Sequence, residues 1–131
     1  MLDNLENEIY TAIKVLMPSN IKEKYKSLDF TTSDINVNEA SFPCVYVHML
    51  ESPESGGDTE GTSINAIYAS FQIEVIDNEK QSNVTEVSKA ILNIMKSMRF
   101  KVVGMPFFDN KDSTYRKVSR FRRMIANNDE L

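Results

Sequence analysis

The chain has 131 residues, of which 41% are hydrophobic and 26% are charged, and its formal net charge is −4. These proportions are typical of one folded globular domain and exclude a disordered chain, a collagen and a coiled coil. Apolar runs are only a few residues long and Cys44 is the one cysteine. We therefore expect a single domain over residues 1–131, with no membrane span, no secretory signal and no internal disulfide.

Charge is distributed unevenly along the chain. Residues 1–60 contain 11 acidic and 4 basic residues, whereas residues 99–131 contain 4 acidic and 8 basic residues. Such asymmetry is typical of a nucleic-acid surface, of a contact between an acidic and a basic patch on two copies, or of a solvated strand face. The charge pattern by itself does not decide between these three.

The first forty residues predict one amphipathic helix and an ambiguous connection. Apolar residues recur at helical spacing at Leu2, Leu5, Ile9, Ala12, Ile13 and Leu16. Pro18 predicts that this helix ends near residue 17. Residues 18–41 are compatible with a helical turn at 21–25, a short strand at 28–32 and a loop after that.

Two strands that flank an acidic loop are predicted next. The first covers about residues 42–51, and because it is apolar on both faces, we expect it to be covered on both sides, within this chain or by another. Residues 52–63 contain three glycines and no apolar residue, which predicts a flexible acidic loop. Residues 64–76 alternate apolar and polar side chains and predict an antiparallel strand with its polar face away from the helices.

A second amphipathic helix is predicted over about residues 83–98. Its apolar stripe comprises Val84, Val87, Ile91, Ile94, Met95 and Met98. Ser82 or Asn83 is the expected N-cap, and Glu86 is placed to return the hydrogen bond from the first turn.

Two further strands complete the predicted fold. A short one is expected at 100–103 and a long one at 114–125, followed by a frayed tail at 126–131. The predicted fold is α+β, in the order α-β-β-α-β-β: a single mostly antiparallel sheet with two amphipathic helices packed on one face.

The sequence offers no set of residues with catalytic or metal-binding spacing. Cys44 and His48 share one face of a predicted strand, but residues four apart on a strand are ~13 Å apart, too far for a nucleophile and its base. One cysteine and one histidine do not make a metal site, and neither an EF-hand nor a phosphate-binding glycine motif is found. We therefore expect no enzyme activity, no cofactor and no metal.

The last predicted strand carries the strongest electrostatic feature. Five basic residues lie within eight positions: Arg116, Lys117, Arg120, Arg122 and Arg123. With the interleaved Tyr115 and Phe121, they are typical of a surface for single-stranded nucleic acid. Cross-strand pairing with acids such as Glu74, or contact with the acidic loop of a neighbouring copy, accounts for the same residues.

The order of these elements resembles the tail terminator, or tail completion, proteins of long-tailed (siphovirus-like) bacteriophages. The resemblance rests on the opening helix, the strand Phe42-Pro43-Cys44-Val45-Tyr46-Val47 and the long loop after it. It continues through the strand at 68–76, which ends in Asp77, and the second helix. It ends in the closing strand Tyr115-Arg116-Lys117-Val118-Ser119-Arg120-Phe121-Arg122.

The resemblance implies a structural protein: a ring, commonly of six copies, that caps the tail tube, ends its polymerisation and joins the tail to the head. The implied partners are other copies of the chain, the tail tube protein and a head-completion or connector protein, with DNA only passing through the lumen and no membrane involved. The implied location is the head–tail junction of the virion, after synthesis in the host cytoplasm. Contacts are expected at Glu51, Glu54, Asp58, Glu60, Tyr68, Gln72, Glu74, Arg116, Lys117, Arg120, Arg122 and Arg123.

Two alternatives stay open from the sequence. One is another head–tail connector or head-completion protein, because such proteins share small scaffolds of this kind. The other is a binding module for single-stranded nucleic acid that uses the basic strand at residues 115–123.

Overall fold

The computed structural model describes residues 4–33, 41–50, 54–57, 64–111, 113–126, 129 and 131. Within these residues the chain forms one mostly antiparallel sheet and three helices, which confirms the predicted α+β class. The helices are α1 (Leu5–Leu16), α2 (Ser19–Lys24) and α3 (Gln81–Ser97). The strands are β1 (Asp29–Thr31), β2 (Cys44–Leu50), β3 (Glu54–Gly57), β4 (Ile64–Asp77), β5 (Lys101–Val102), β6 (Phe107–Phe108) and β7 (Tyr115–Ala126).

The centre of the sheet is the pair of long strands β4 and β7. They are antiparallel over twelve paired positions, from Ala66 opposite Ala126 to Asp77 opposite Tyr115. The order across the sheet is β1-β2-β4-β7-β5, with β3 paired to β4 beyond the end of β2 and β6 paired to β7. Among the described strands, only β1 and β2 run parallel to each other.

The hydrophobic core lies between the sheet and the helices α1 and α3, as predicted. The apolar stripes of both helices and the inward side chains of β2, β4 and β7 form one buried cluster. Near its centre Phe71 lies opposite Phe121, and the rings of Phe71 and Phe100 meet edge to face with centroids 5.7 Å apart. Burying one such ring stabilises the fold by about 1.5–3 kcal/mol.

The ambiguous connection after α1 contains a helix and a strand. α2 begins directly after Pro18, and its Ile21 is buried in the core cluster. β1 follows and pairs with the start of β2, and the hydroxyl of Tyr10 on α1 donates a hydrogen bond of 3.2 Å to the carbonyl of Phe30. The observed order therefore contains more elements than the predicted α-β-β-α-β-β.

Part of the predicted acidic loop is a strand. β3 pairs with the first residues of β4, Glu54 opposite Ile67 and Gly57 opposite Ile64. Its sequence has no apolar alternation, so only main-chain pairing defines it, and composition predicted a loop instead. The rest of the predicted loop, at 52–53 and 58–63, lies outside the described residues.

α3 begins at Gln81, two residues before the predicted start, and its expected capping residues do not cap it. The side chain that holds the start of α3 is that of Asp77, at the end of β4. Its Oδ2 accepts hydrogen bonds from the backbone N–H groups at positions 79 and 80, at 3.1 and 2.9 Å, and from Nδ2 of Asn83 at 2.9 Å. The carboxylate of Glu86 is bonded to Tyr25 instead.

Two short strands, β5 and β6, share the far edge of β7. β5 confirms the strand predicted at 100–103, whereas β6 was not predicted. Between them Gly104 has φ of +73°, a left-handed conformation that favours glycine, and it allows the chain to leave the edge and return to it.

The predicted frayed tail contains one anchored residue. β7 ends at Ala126, whose N–H donates a hydrogen bond of 2.8 Å to the carboxylate of Asp129. The same carboxylate lies 3.7 Å from Nη2 of Arg123. Both contacts hold Asp129 against the end of β7 and oppose fraying at this position.

Candidate functional site

The face of the sheet that points away from α1 and α3 is called the outer face below. Strand pleating and the register place alternate residues of β2, β4 and β7 on it. Its members in these strands include Tyr46, His48, Tyr68, Gln72, Glu74, Val118, Arg120, Arg122 and Met124. The prediction that the polar face of β4 points away from the helices is therefore confirmed.

A continuous polar network crosses the outer face from β7 to β4 and back. Nη1 of Arg116 lies 2.7 Å from Oε1 of Glu74, and both side chains are buried. Nε2 of Gln72 donates to Oε2 of Glu74 at 3.2 Å, and Oε1 of Gln72 accepts from Nε of Arg120 at 3.0 Å. The network fixes the orientation of the Gln72 amide and, through it, that of Arg120.

A cavity of about 330 Å³ opens over this network. Its lining combines β2, β4, β7, β6 and the turn after β6: Tyr46, His48, Gln72, Glu74, Phe107, Asp109, Lys111, Arg116, Val118 and Arg120. The guanidinium of Arg120 lies 5.7 Å from the centroid of the Phe107 ring, a cation–π contact. The cavity thus has a cationic and aromatic wall, suited to an anionic group.

The other end of the outer face is exposed and partly apolar. Tyr68 and Met124 lie opposite each other on β4 and β7, and they are 43% and 42% exposed. The guanidinium of Arg122 lies 5.5 Å from the centroid of the Tyr68 ring. Within the described part of the chain, no helix covers this surface, which combines aromatic, thioether and guanidinium groups.

The structure divides the five basic residues of β7 into different environments. Arg116 is buried in its ion pair, whereas Arg120 and Arg122 are exposed on the outer face. Lys117 and Arg123 lie on the helix side, where Lys117 contacts the ring of Phe108. The residues predicted as one basic surface therefore reduce to two exposed arginines on the outer face.

Arg123 has a structural environment. Its Nη1 donates a hydrogen bond of 3.1 Å to the carbonyl of Met98, at the end of α3. Burial, together with the positive charge of Arg99, lowers the pKa of Arg123, while Asp129 opposes that shift. We therefore assign Arg123 to the contact between α3 and the end of β7.

The predicted acidic contact residues are only partly within the described residues. Glu54 is the first residue of β3, at the end of the sheet where β4 begins and β7 ends. Glu51, Asp58 and Glu60 lie outside the described part of the chain. The register places Glu54 opposite Ile67, five residues before Gln72 on β4.

Cys44 is an inert thiol in this fold. It is buried, and burial together with the charge of Asp29 raises its pKa to about 11. A thiol with this pKa is not a thiolate at neutral pH. On the same strand, His48 lines the cavity and its ring lies 5.7 Å from the ring of Tyr46.

Two further findings concern only the part of the chain that the structure describes. No group of three or more His, Cys, Asp or Glu side chains there is arranged to hold a metal ion. No helix there is long and apolar enough to cross a membrane.

The sequence prediction missed six residues that line the cavity: Tyr46, His48, Phe107, Asp109, Lys111 and Val118. Tyr46 and His48 were predicted to lie in a strand that is apolar on both faces, and His48 was considered otherwise only as a base for Cys44. Their spacing of two residues on a strand was the available signal for a shared site. Phe107 and Lys111 come from an unpredicted strand and the turn after it. They reach the cavity only because β6 pairs with β7.

A second basic region was also missed. Three lysines, Lys14, Lys22 and Lys26, line a cavity of about 380 Å³ beside β1. Together with Lys24, they are all of the basic residues within positions 1–60. Because the charge count for residues 1–60 combined these lysines with eleven acidic residues, it did not reveal that the lysines cluster in space.

No protein-family model matches the chain, and no curated protein is significantly similar to it.

Proposed function

We propose that this chain is a structural protein that assembles into a ring through its sheet, of the kind that caps a phage tail tube and joins it to the head. One observation carries the proposal: the outer face of β4 and β7 presents exposed Tyr68, Met124 and Arg122 with no described helix over them. Exposed aromatic, methionine and arginine side chains are enriched at protein interfaces.

The charge layout favours contact between unlike patches of neighbouring copies. The acidic segment at 51–60 lies between β2 and β4 in the sequence, whereas the exposed arginines lie on β7. A closed ring needs two different surfaces on each subunit, one for each neighbour. Opposite charges on those surfaces favour head-to-tail association over face-to-face pairing of like patches.

Analytical ultracentrifugation and negative-stain electron microscopy test the proposal. The wild-type chain is expected to form closed rings, alone or on purified tail tubes. Arg122→Glu is expected to raise the concentration for half-assembly by about tenfold, because it places like charges together. Lys89→Glu is the matched control, since Lys89 is exposed on α3, away from the outer face.

The oligomeric state of the chain and the partner that it binds decide whether the proposal holds. A chain that remains a monomer at all concentrations and forms no ring on tail tubes contradicts the proposal. Equal loss of assembly in Arg122→Glu and Lys89→Glu contradicts the role of the outer face. Binding to the portal or a head protein, without binding to tail tubes, assigns the chain to another connector role.

A second candidate function is binding of single-stranded nucleic acid. The observation that favours it is the pairing of guanidinium groups with exposed rings, Arg122 with Tyr68 and Arg120 with Phe107, on one face. Such surfaces bind backbone phosphates and stack bases. Fluorescence anisotropy with a labelled deoxythymidine oligonucleotide tests it: salt-dependent binding that Tyr68→Ala weakens supports this function, and no binding at low salt excludes it.

A further inference from the structure

We infer that the cavity on the outer face is a binding site for a small organic carboxylate. The inference goes beyond the proposed function and does not depend on it, because the lining residues named above all belong to one chain. It is carried by the charges that line the cavity, by the fixed position of Arg120, and by a buried donor atom of Arg116 that has no acceptor among the described residues.

The charged residues of the cavity leave one positive charge in excess when His48 is counted as neutral. They are two acids and three bases: Glu74, Asp109, Lys111, Arg116 and Arg120. Glu74 is paired with Arg116 at 2.7 Å, and Asp109 lies 3.9 Å from Lys111. Arg120 is therefore the cation without an acidic partner among the lining residues. A singly charged anion beside Arg120 neutralises the cavity, whereas a second negative charge is repelled by the two carboxylates.

The guanidinium of Arg120 is held in place with two donor atoms available. Its Nε donates to Oε1 of Gln72 at 3.0 Å, and its central carbon lies 5.7 Å from the centroid of the Phe107 ring. Within the described residues, its two terminal nitrogens donate no hydrogen bond. These nitrogens can form parallel hydrogen bonds with the two oxygens of one carboxylate. Because Gln72 is itself bonded to Glu74, Arg120 loses little side-chain freedom when it binds a ligand.

Arg116 adds a buried and incompletely paired positive charge to the same lining. Its side chain is only 6% exposed, and its Nε is a buried donor with no acceptor among the described residues. Oε1 of Glu74 accepts from Nη1 of Arg116, whereas Oε2 of Glu74 accepts from Gln72, so the carboxylate does not bond Arg116 through both oxygens. Because water screens a buried cation poorly, Arg116 raises the positive potential that an anion meets in the cavity.

The size and charge of the cavity favour a small organic acid over a phosphate ester. Its volume of about 330 Å³ lies near the lower end of the range of ligand pockets, roughly 300–1,000 Å³. His48, Gln72 and Arg120 form one row across β2, β4 and β7, so about 10 Å separates the two outer backbones. Phe107 and Tyr46 offer the carbon part of an acid a limited apolar surface. A phosphate monoester carries about 1.5–2 negative charges at neutral pH, more than the single charge that the cavity balances.

A titration followed by NMR tests the site on the full chain. Two-dimensional spectra of the backbone amides are recorded at pH 7 and constant ionic strength, while sodium benzoate or sodium acetate replaces sodium chloride. We expect saturable shifts in the amide signals of lining residues, among them His48, Gln72 and Val118. Benzamide has nearly the shape of benzoate but no charge, and it is expected to cause no saturable shift in these signals.

Substitutions of Arg120 test the contact that the inference assigns. Arg120→Gln is expected to weaken benzoate binding by at least about tenfold, the loss typical of a charge-assisted hydrogen bond. Arg120→Lys keeps the charge without the pair of parallel donors, and it is expected to recover only part of the affinity. Lys89→Gln removes an exposed charge from α3 and is expected to leave binding unchanged. Amide spectra that otherwise match the wild type establish that the variants are folded.

Binding of benzoate and acetate that requires Arg120 supports the inference, whether or not the chain forms rings. The inference is overturned if neither acid gives a saturable shift, if benzamide binds as well as benzoate, or if Arg120→Gln binds benzoate like the wild type. Inorganic phosphate and a deoxythymidine oligonucleotide are titrated in the same way. Binding of either one at these residues, without binding of benzoate or acetate, also overturns the carboxylate site and assigns the cavity to phosphate groups.

Discussion

Arg116 and Glu74 form a buried ion pair across β7 and β4, with Nη1 of the arginine 2.7 Å from Oε1 of the carboxylate. The two residues are 5% and 8% exposed, so water screens their interaction poorly. Sequence analysis assigned both to a contact surface and kept cross-strand pairing with Glu74 as an alternative, and the structure confirms that alternative for Arg116. The pair positions Gln72 and Arg120 beside it. Its first role is therefore structural.

Removing one partner of this pair is expected to destabilise the fold strongly. Glu74→Leu leaves the Arg116 charge buried without a counterion, which costs about 3–5 kcal/mol of unfolding free energy. The double variant Glu74→Leu with Arg116→Met removes both charges and is expected to recover most of that loss. Urea unfolding of the wild type, Glu74→Leu, Arg116→Met and the double variant completes a double-mutant cycle, which gives the interaction free energy of the pair. A loss below about 1 kcal/mol in Glu74→Leu contradicts the role given to the pair.

Truncation of Phe71 is expected to open the core. Phe71 is fully buried opposite Phe121, and its ring meets Phe100 edge to face. Phe71→Ala should cost about 3–5 kcal/mol, from lost burial and the cavity that remains. Phe108→Ala is the matched control, because Phe108 is 43% exposed, and it should cost about 1 kcal/mol. Thermal and urea unfolding report both, and similar losses argue against this arrangement of the core.

The contact of Tyr25 and Lys24 with Glu86 is expected to make stability depend on pH. Oε1 of Glu86 accepts hydrogen bonds from the hydroxyl of Tyr25 at 2.5 Å and from Nζ of Lys24 at 2.9 Å. These bonds, that of Tyr25 foremost, lower the pKa of Glu86 below its ordinary value of 4.5. Below pH 4.5 the unfolded chain therefore holds a proton on this carboxyl that the folded chain still lacks.

The stabilisation is thus complete above pH 4.5 and is lost as the pH falls through the lowered folded pKa. In urea unfolding from pH 7 to pH 3, the difference between wild type and Glu86→Gln should be constant near neutrality and should shrink in acid. Because solvent screens the exposed Lys24 and reaches Glu86, we expect the difference to be small. The difference in unfolding free energy between wild type and Tyr25→Phe should also shrink in acid. A difference that grows as the pH falls contradicts the lowered pKa of Glu86.

Cys44 is expected to resist thiol reagents until the chain unfolds. With its pKa raised to about 11 from an ordinary value of 9.0, the folded thiolate fraction at pH 8 is about one hundredth of the unfolded one. Burial of the sulfur slows the reaction further. Reaction with Ellman's reagent, in buffer and in denaturing urea, measures the ratio. Reaction of the folded chain at the unfolded rate refutes the burial of Cys44.

Substitution of Gly104 is expected to show a pure backbone effect. Its φ is +73°, and a Cβ added there has no heavy atom within 4 Å. Gly104→Ala should therefore destabilise the fold by about 1 kcal/mol through backbone strain alone. Gly104→Asn should cost less, since asparagine adopts the left-handed region more readily. Urea midpoints compare the three chains, and equal stability of all three contradicts the left-handed turn.

Local periodicity was enough to predict the main elements. The apolar spacing of α1 and α3 and the alternation along β4 and β7 depend on neighbours in the sequence, so each element is evident without its partners. β3 escaped prediction for the opposite reason, and at α2 the sequence left a helical turn at 21–25 only as one option. β3 carries no apolar alternation, and α2 is a short helix whose position follows from burying Ile21.

The sequence by itself determined the α+β class, the faces of β4 and β7, and the basic character of β7, because each follows from residue order within one segment. Only the tertiary structure decided which basic residues are exposed and where the cavity lies. Tyr46, Gln72, Phe107 and Arg120 come from four strands and meet only through long-range pairing. Burial of Arg116 likewise depends on what β4 places opposite it, which no run of residues in β7 encodes.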